Sequence, residues 1–165
     1  MRLPSRRTGN WLGFLACVLA LGFAFYSQYV LDLKPCHLCI FQRVTVAAMG
    51  LAFLIGTLFV GGRVSGATNA ILITMTGLAT LATSGRHVWL QMQPPGSSPS
   101  CGADLDFMLQ LFPMTEVIMK VFKAGGECAV VDFTLLGLSM PAWVFVFALA
   151  VTAGGVWINL RRTGA

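Results

Sequence analysis

Charged side chains are scarce in this chain of 165 residues: 10% are charged, only six are acidic, and 56% are hydrophobic. A water-soluble domain of that length carries far more charge, so the composition excludes one and fits a protein solvated by lipid. Acids are missing from three arginine-bearing places: the first ten residues with Arg2, Arg6 and Arg7, the turn around Arg63, and the tail with Arg161 and Arg162. Absent too is the ten-residue polar–apolar alternation of an outer-membrane barrel, as is any internal repeat. The net charge of +5 follows from where those arginines stand relative to a bilayer, so it implies no nucleic-acid partner.

What is there instead is four apolar runs, residues 11–30, 40–60, 67–90 and 141–160, each near the roughly 20 residues that cross hydrocarbon as a helix. The expected fold is an all-α membrane protein, a four-helix transmembrane bundle forming one domain over 1–165. Its short loop covers 31–39 and its long loop 91–140. The arginine-rich faces are expected in the cytoplasm with both termini, and the two loops outside. The first run has the outline of a secretory signal, with Gly22-Phe23-Ala24 as a small-x-small site. Its apolar core outruns the roughly 7 to 15 residues of such signals and continues past that site, so it is expected to remain as a helix.

Chemistry concentrates in Pro35-Cys36-His37-Leu38-Cys39-Ile40-Phe41-Gln42-Arg43. Two cysteines with two residues between them can close a reducible disulfide, and a helix N-terminus or a nearby cation can hold one of them as a thiolate. Cys39 is expected at the start of the second helix, with Arg43 one turn deeper on the same face. Arg86 and His87 lie near the outer end of the third run, at the depth of Arg43, and could meet a polar head group there. With Trp89 they could equally be interfacial anchors. Cys17 lies roughly 28 Å along the first helix from Cys36, too far to exchange with it, and is expected to be a packing residue.

The long loop opens with Pro94-Pro95-Gly96-Ser97-Ser98-Pro99-Ser100, then Cys101. Apolar residues from Leu105 to Phe122 recur at helical spacing and suggest a short amphipathic helix on the bilayer surface, and Gly125-Gly126 precedes Cys128. Three uses of the loop cysteines stay open on the residues alone: redox exchange, a bracing disulfide in an oxidising compartment, or thiolate ligation of a metal. A single Cys-x-x-Cys and two distant loop cysteines argue against the metal. Run four offers Trp143, Phe145 and Phe147 and nothing ionisable, as a scaffold would.

These residues resemble the DsbB family, the bacterial inner-membrane disulfide bond formation proteins. The likeness rests on Leu33-Lys34-Pro35-Cys36-x-x-Cys39-Ile40-Phe41-Gln42-Arg43, Gly85-Arg86-His87-Val88-Trp89-Leu90-Gln91, Cys101-Gly102, Gly126-x-Cys128-Ala129 and Leu136-Gly137-Leu138-Ser139-Met140-Pro141-x-Trp143, in order along nearly the whole chain. The resemblance implies a membrane thiol–disulfide oxidoreductase that reoxidises a periplasmic DsbA-like dithiol oxidase and passes the electrons to a membrane quinone, ubiquinone or menaquinone. It implies redox disulfides Cys36–Cys39 and Cys101–Cys128, with Cys101 meeting the partner and Cys39 facing the quinone. Arg43, and with it Arg86 and His87, fall where the family handles the quinone; no resident metal is implied. Val130 stands where an acidic residue is often found and Phe133 where tryptophan is usual, both in the outer loop.

Overall fold

Caps, rather than the ends of apolar runs, decide where the first two helices begin. Ser5 accepts a hydrogen bond from the Thr8 N–H at 3.2 Å and opens α1, Arg6–Tyr29, well ahead of the apolar run. Cys36, in extended backbone, accepts from the Cys39 N–H at 3.4 Å and opens α2, His37–Leu58. Helix α3 spans Arg63–Gln91 and includes most of the segment expected as a turn. A two-residue ladder follows, β1 Thr134–Leu135 against β2 Leu138–Ser139, antiparallel. Leu136 and Gly137 at its turn have φ of 53° and 80°, the left-handed pair that a tight hairpin requires. Ser139 takes the N-cap position of α4, Met140–Leu160, without a side-chain cap bond, and Pro141 sits in the first turn, where its missing N–H costs nothing. The expected starts at 11, 40, 67 and 141 move to 6, 37, 63 and 140; for α1 and α2 the Ser5 and Cys36 caps hold the backbone helical ahead of the apolar stretch. This computed structural model describes residues 5–33, 35–59, 63–93, 113, 115–116 and 134–161.

Among the described residues, four helices are long and apolar enough to cross a membrane, and they form a four-helix membrane bundle. Helix α1 packs on α2, α2 on α3 and α3 on α4, whereas α4 and α1 touch only slightly. The core lies between them at mid-height: Val46, Met49, Ala52, Phe53 and Ile73, joined by Cys17. Phe53 fills the space left by Gly13 and Gly155; a Cβ on either would lie 2.6 Å from its ring. Large apolar side chains such as Leu19, Leu58, Ile71 and Met75 point outward, a surface that acyl chains solvate and water does not.

At the end of the bundle that holds Ser5 and Arg161, the helices are tied by amides. Asn10 Nδ2 donates to the Gly56 carbonyl at 3.0 Å and to Asn159 Oδ1 at 3.2 Å, and Asn159 Nδ2 donates to Asn10 Oδ1 at 2.7 Å. Asn69 Nδ2 adds a second donor to Asn159 Oδ1 at 3.3 Å. All three asparagines are buried, and in lipid such amides serve as inter-helix ties. Among the described residues the opposite end has no such asparagine knot and opens into a cavity.

Candidate functional site: a dithiol at the mouth of an apolar cavity

The loop between α1 and α2 turns through Asp32, whose φ of 51° is left-handed, a conformation that Asp tolerates better than most residues. The Leu33 N–H reaches back to the Ser27 carbonyl at 3.1 Å. The return contact and Pro35 bring Cys36 to the head of α2. Its N-cap position places Cys39 in the first turn, beside N–H groups with no helical partner, where the helix dipole favours an anion. The two sulfurs stand 3.0 Å apart, about 1 Å more than a disulfide bond, so the dithiol needs only a small closure to oxidise.

Behind the pair, α3 supplies His87, which is buried at 3% exposure. Its Nε2 lies 3.7 Å from Cys36 Sγ and its Nδ1 lies 3.2 Å from the side-chain amide of Gln42. Arg43 extends from α2 towards α1: its Nη2 donates to the Ala24 carbonyl at 2.9 Å, its Nη1 donates to Gln28 Oε1, and its guanidinium carbon sits 5.2 Å from the centre of the Phe25 ring.

These groups form the polar end of a cavity of about 330 Å³ in the gap between α1 and α4. Cys36, Cys39, Gln42, Arg43 and His87 line it on one side, and Leu21, Phe23, Val144 and Phe147 wall the rest. Phe23 is itself half exposed on the outer surface of α1, so the cavity borders the face turned to lipid. Met140 and Pro141 also line it. They are placed by the hairpin, whose Ser139 hydroxyl donates to Gln91 Oε1 at 2.6 Å.

The residues named from the sequence therefore separate. Cys36, Cys39, Arg43 and His87 meet at one cavity. Arg86 does not line it; its guanidinium carbon stacks 4.6 Å above the centre of the Trp89 ring. Consecutive residues of a helix point about 100° apart; here His87 takes the direction of the cavity and Arg86 that of the Trp89 ring. Cys101 and Cys128, the 105–122 stretch, Val130 and Phe133 lie outside the described residues, apart from Pro113, Thr115 and Glu116. Cys17 is 1% exposed in the core. Sequence reasoning passes over Gln42 and the α1 groups that receive Arg43. The available signal for Gln42 is its place three residues after Cys39 on the same helical face.

Fold and site together define a class: four-helix membrane proteins with a Cys-x-x-Cys dithiol at the mouth of a lipid-bordering apolar cavity. Comparison with known proteins narrows this. The family model for "Disulfide bond formation protein DsbB" matches residues 6–158. The chain is 42% identical to Disulfide bond formation protein B of Methylococcus capsulatus, covering 98% of this chain and 100% of that protein. It is 42% identical to that of Nitrosococcus oceani, covering 99% and 96%, and 39% identical to that of Chromobacterium violaceum, covering 96% and 95%. The chain belongs to the DsbB family of membrane disulfide bond formation proteins.

Proposed function

We propose that the protein reoxidises a soluble, periplasmic DsbA-like dithiol oxidase and delivers the two electrons to a membrane quinone. It is proposed to sit in the bacterial inner membrane with both termini cytoplasmic, as the six arginines of its two end segments and of the turn around Arg63 favour. The partner's dithiol would reduce a Cys101–Cys128 disulfide, and exchange would then reduce Cys36–Cys39. Oxidation of the Cys36–Cys39 dithiol forms one S–S bond and releases two electrons and two protons, which convert a quinone to its quinol.

The single observation that carries this is the position of Cys39 and Arg43 at the polar end of an apolar cavity bordering the lipid. Its walls suit an aromatic ring with a hydrocarbon tail, and its polar end offers a guanidinium to a carbonyl that gains negative charge. What a quinone supplies is a two-electron acceptor dissolved in the membrane. The chain's own share is to hold the thiols, favour thiolate at the α2 N-terminus and keep water from the pair.

Energetics favour such an acceptor. The potential known for DsbA itself, not obtained from this chain, is about −120 mV, and an ordinary dithiol near −200 mV would be a poorer oxidant by about 4 kcal/mol. A more oxidising sink must therefore drain the relay. Anaerobic mixing of the purified protein with reduced DsbA and quinone, followed by quinone absorbance, tests the proposal. Stoichiometric quinol formation is expected, lost on Cys36→Ser, Cys39→Ser or Cys101→Ser; quinone left unreduced by the unsubstituted chain overturns it.

A further inference from the structure

Cys36 Sγ, Cys39 Sγ and a ring nitrogen of His87 all lie within 4.8 Å of one another, at a position where the redox proposal uses only the sulfurs. We infer that the reduced trio is a binding site for a thiophilic d10 cation, zinc or cadmium, with two thiolates and one imidazole as ligands. Zinc takes thiolate sulfur at about 2.3 Å and imidazole nitrogen at about 2.0 to 2.1 Å. Donors around one such ion therefore lie within about 4 Å of each other. The Sγ–Sγ and Sγ–Nε2 distances of 3.0 and 3.7 Å need only a slight opening of the thiol pair.

Three further features fit a ligand set. The imidazole is fixed from behind: Gln42, 5% exposed, meets Nδ1, which turns Nε2 towards the sulfurs, the outer-shell arrangement of metal-binding histidines. With Nε2 on a cation, Nδ1 carries the hydrogen, and the Gln42 amide can present its oxygen to accept it. The Cys39 N–H directed at Cys36 Sγ at 3.4 Å supports that sulfur as an anion. The fourth side of the trio faces the cavity, leaving an open position for water or another small ligand.

Binding exchanges two thiol protons for one divalent cation and transfers no electrons. Two thiolates balance the charge of the ion, so Arg43, engaged with Ala24 and Gln28 on α1, does not oppose it. A disulfide has no thiolate to offer, so the site exists only in the reduced protein, and a bound cation withholds both sulfurs from oxidation. The inference holds whether or not the pair reduces a quinone.

The test uses the full chain carrying Cys101→Ser and Cys128→Ser, reduced and titrated anaerobically with cadmium, then with zinc in competition. One equivalent of cadmium is expected, seen as sulfur-to-cadmium charge-transfer absorbance, with none after oxidation of the pair. X-ray absorption is expected to read two sulfurs and an imidazole, with any further light scatterer being the oxygen at the open position. Gln42→Ala, which touches no ion, is expected to weaken binding roughly ten- to a hundredfold, and His87→Ala at least as much. Thermal unfolding without metal identifies a variant that fails to fold, and the other variant then decides. No binding to the reduced chain, a sulfur-only ligand set, binding that survives oxidation, or unchanged affinity in the folded variants overturns the inference.

Discussion

Arg43 and Arg86 are the same residue type near the same end of the bundle, yet their surroundings differ. Arg43 lines the cavity and is held by two oxygens of α1, whereas Arg86 lies on the Trp89 ring. A hydrogen bond to a charged group is worth about 1.5 to 3 kcal/mol, and about 1.4 kcal/mol is tenfold in affinity. On the proposed function, Arg43→His, which shortens the reach and loses the planar fork, is expected to raise the KM for quinone roughly tenfold or more while the thiols of Cys36, Cys39, Cys101 and Cys128 remain titratable; steady-state quinone reduction checks it. Arg86→Leu is expected to shift that KM by less than about threefold, since Arg86 does not line the cavity. Cys17, buried among Phe14, Val46 and Phe53, is expected to tolerate Cys17→Ala with unchanged turnover.

At the scale of elements, the amide knot and the open end are complementary. Helices tied by Asn10, Asn69 and Asn159 at one end can part at the other without losing register. Gly56 is required there because a Cβ would lie 2.0 Å from Asn69 Nδ2 and 2.7 Å from Asn10 Nδ2. Gly56→Ala is expected to cost about 1 to 3 kcal/mol by overpacking, read as a lower unfolding midpoint in detergent, with the cavity-lining thiols still reactive. The hairpin matters differently. Gly137, at φ 80°, precedes the turn into α4, and Gly137→Val is expected to cost about 1 to 2 kcal/mol. Because the hairpin sets Met140 and Pro141, that variant is expected to lower quinone affinity as well as stability, which a binding titration separates from simple unfolding.

For the whole molecule, the proposed orientation in the membrane rests on charge rather than on packing. The helices would pack equally well upside down; on the proposed topology the arginines at the end holding Ser5 and Arg161 select the cytoplasmic face. A single cysteine introduced at exposed Thr134, at the dithiol end, is expected to react with an impermeant maleimide from outside intact cells, and one at exposed Ser5 only after lysis. The reverse labelling would place the dithiol in a reducing compartment and remove the basis for a disulfide relay.

Four spans, the arginine distribution and the Cys-x-x-Cys beside Arg43 were legible in the primary structure, because hydrophobic length, charge placement and short spacings are local properties of a chain. Helix starts were less legible, since caps such as Ser5 and Cys36 act through single hydrogen bonds that hydropathy does not register. Only the tertiary structure decided that His87 rather than Arg86 joins the thiols, that Gln42 stands behind it, and that the gap between α1 and α4 is the cavity. Those outcomes depend on how one helix is rotated against another, which is set by the summed packing of side chains distant in sequence, such as Phe53 against Gly13 and Gly155.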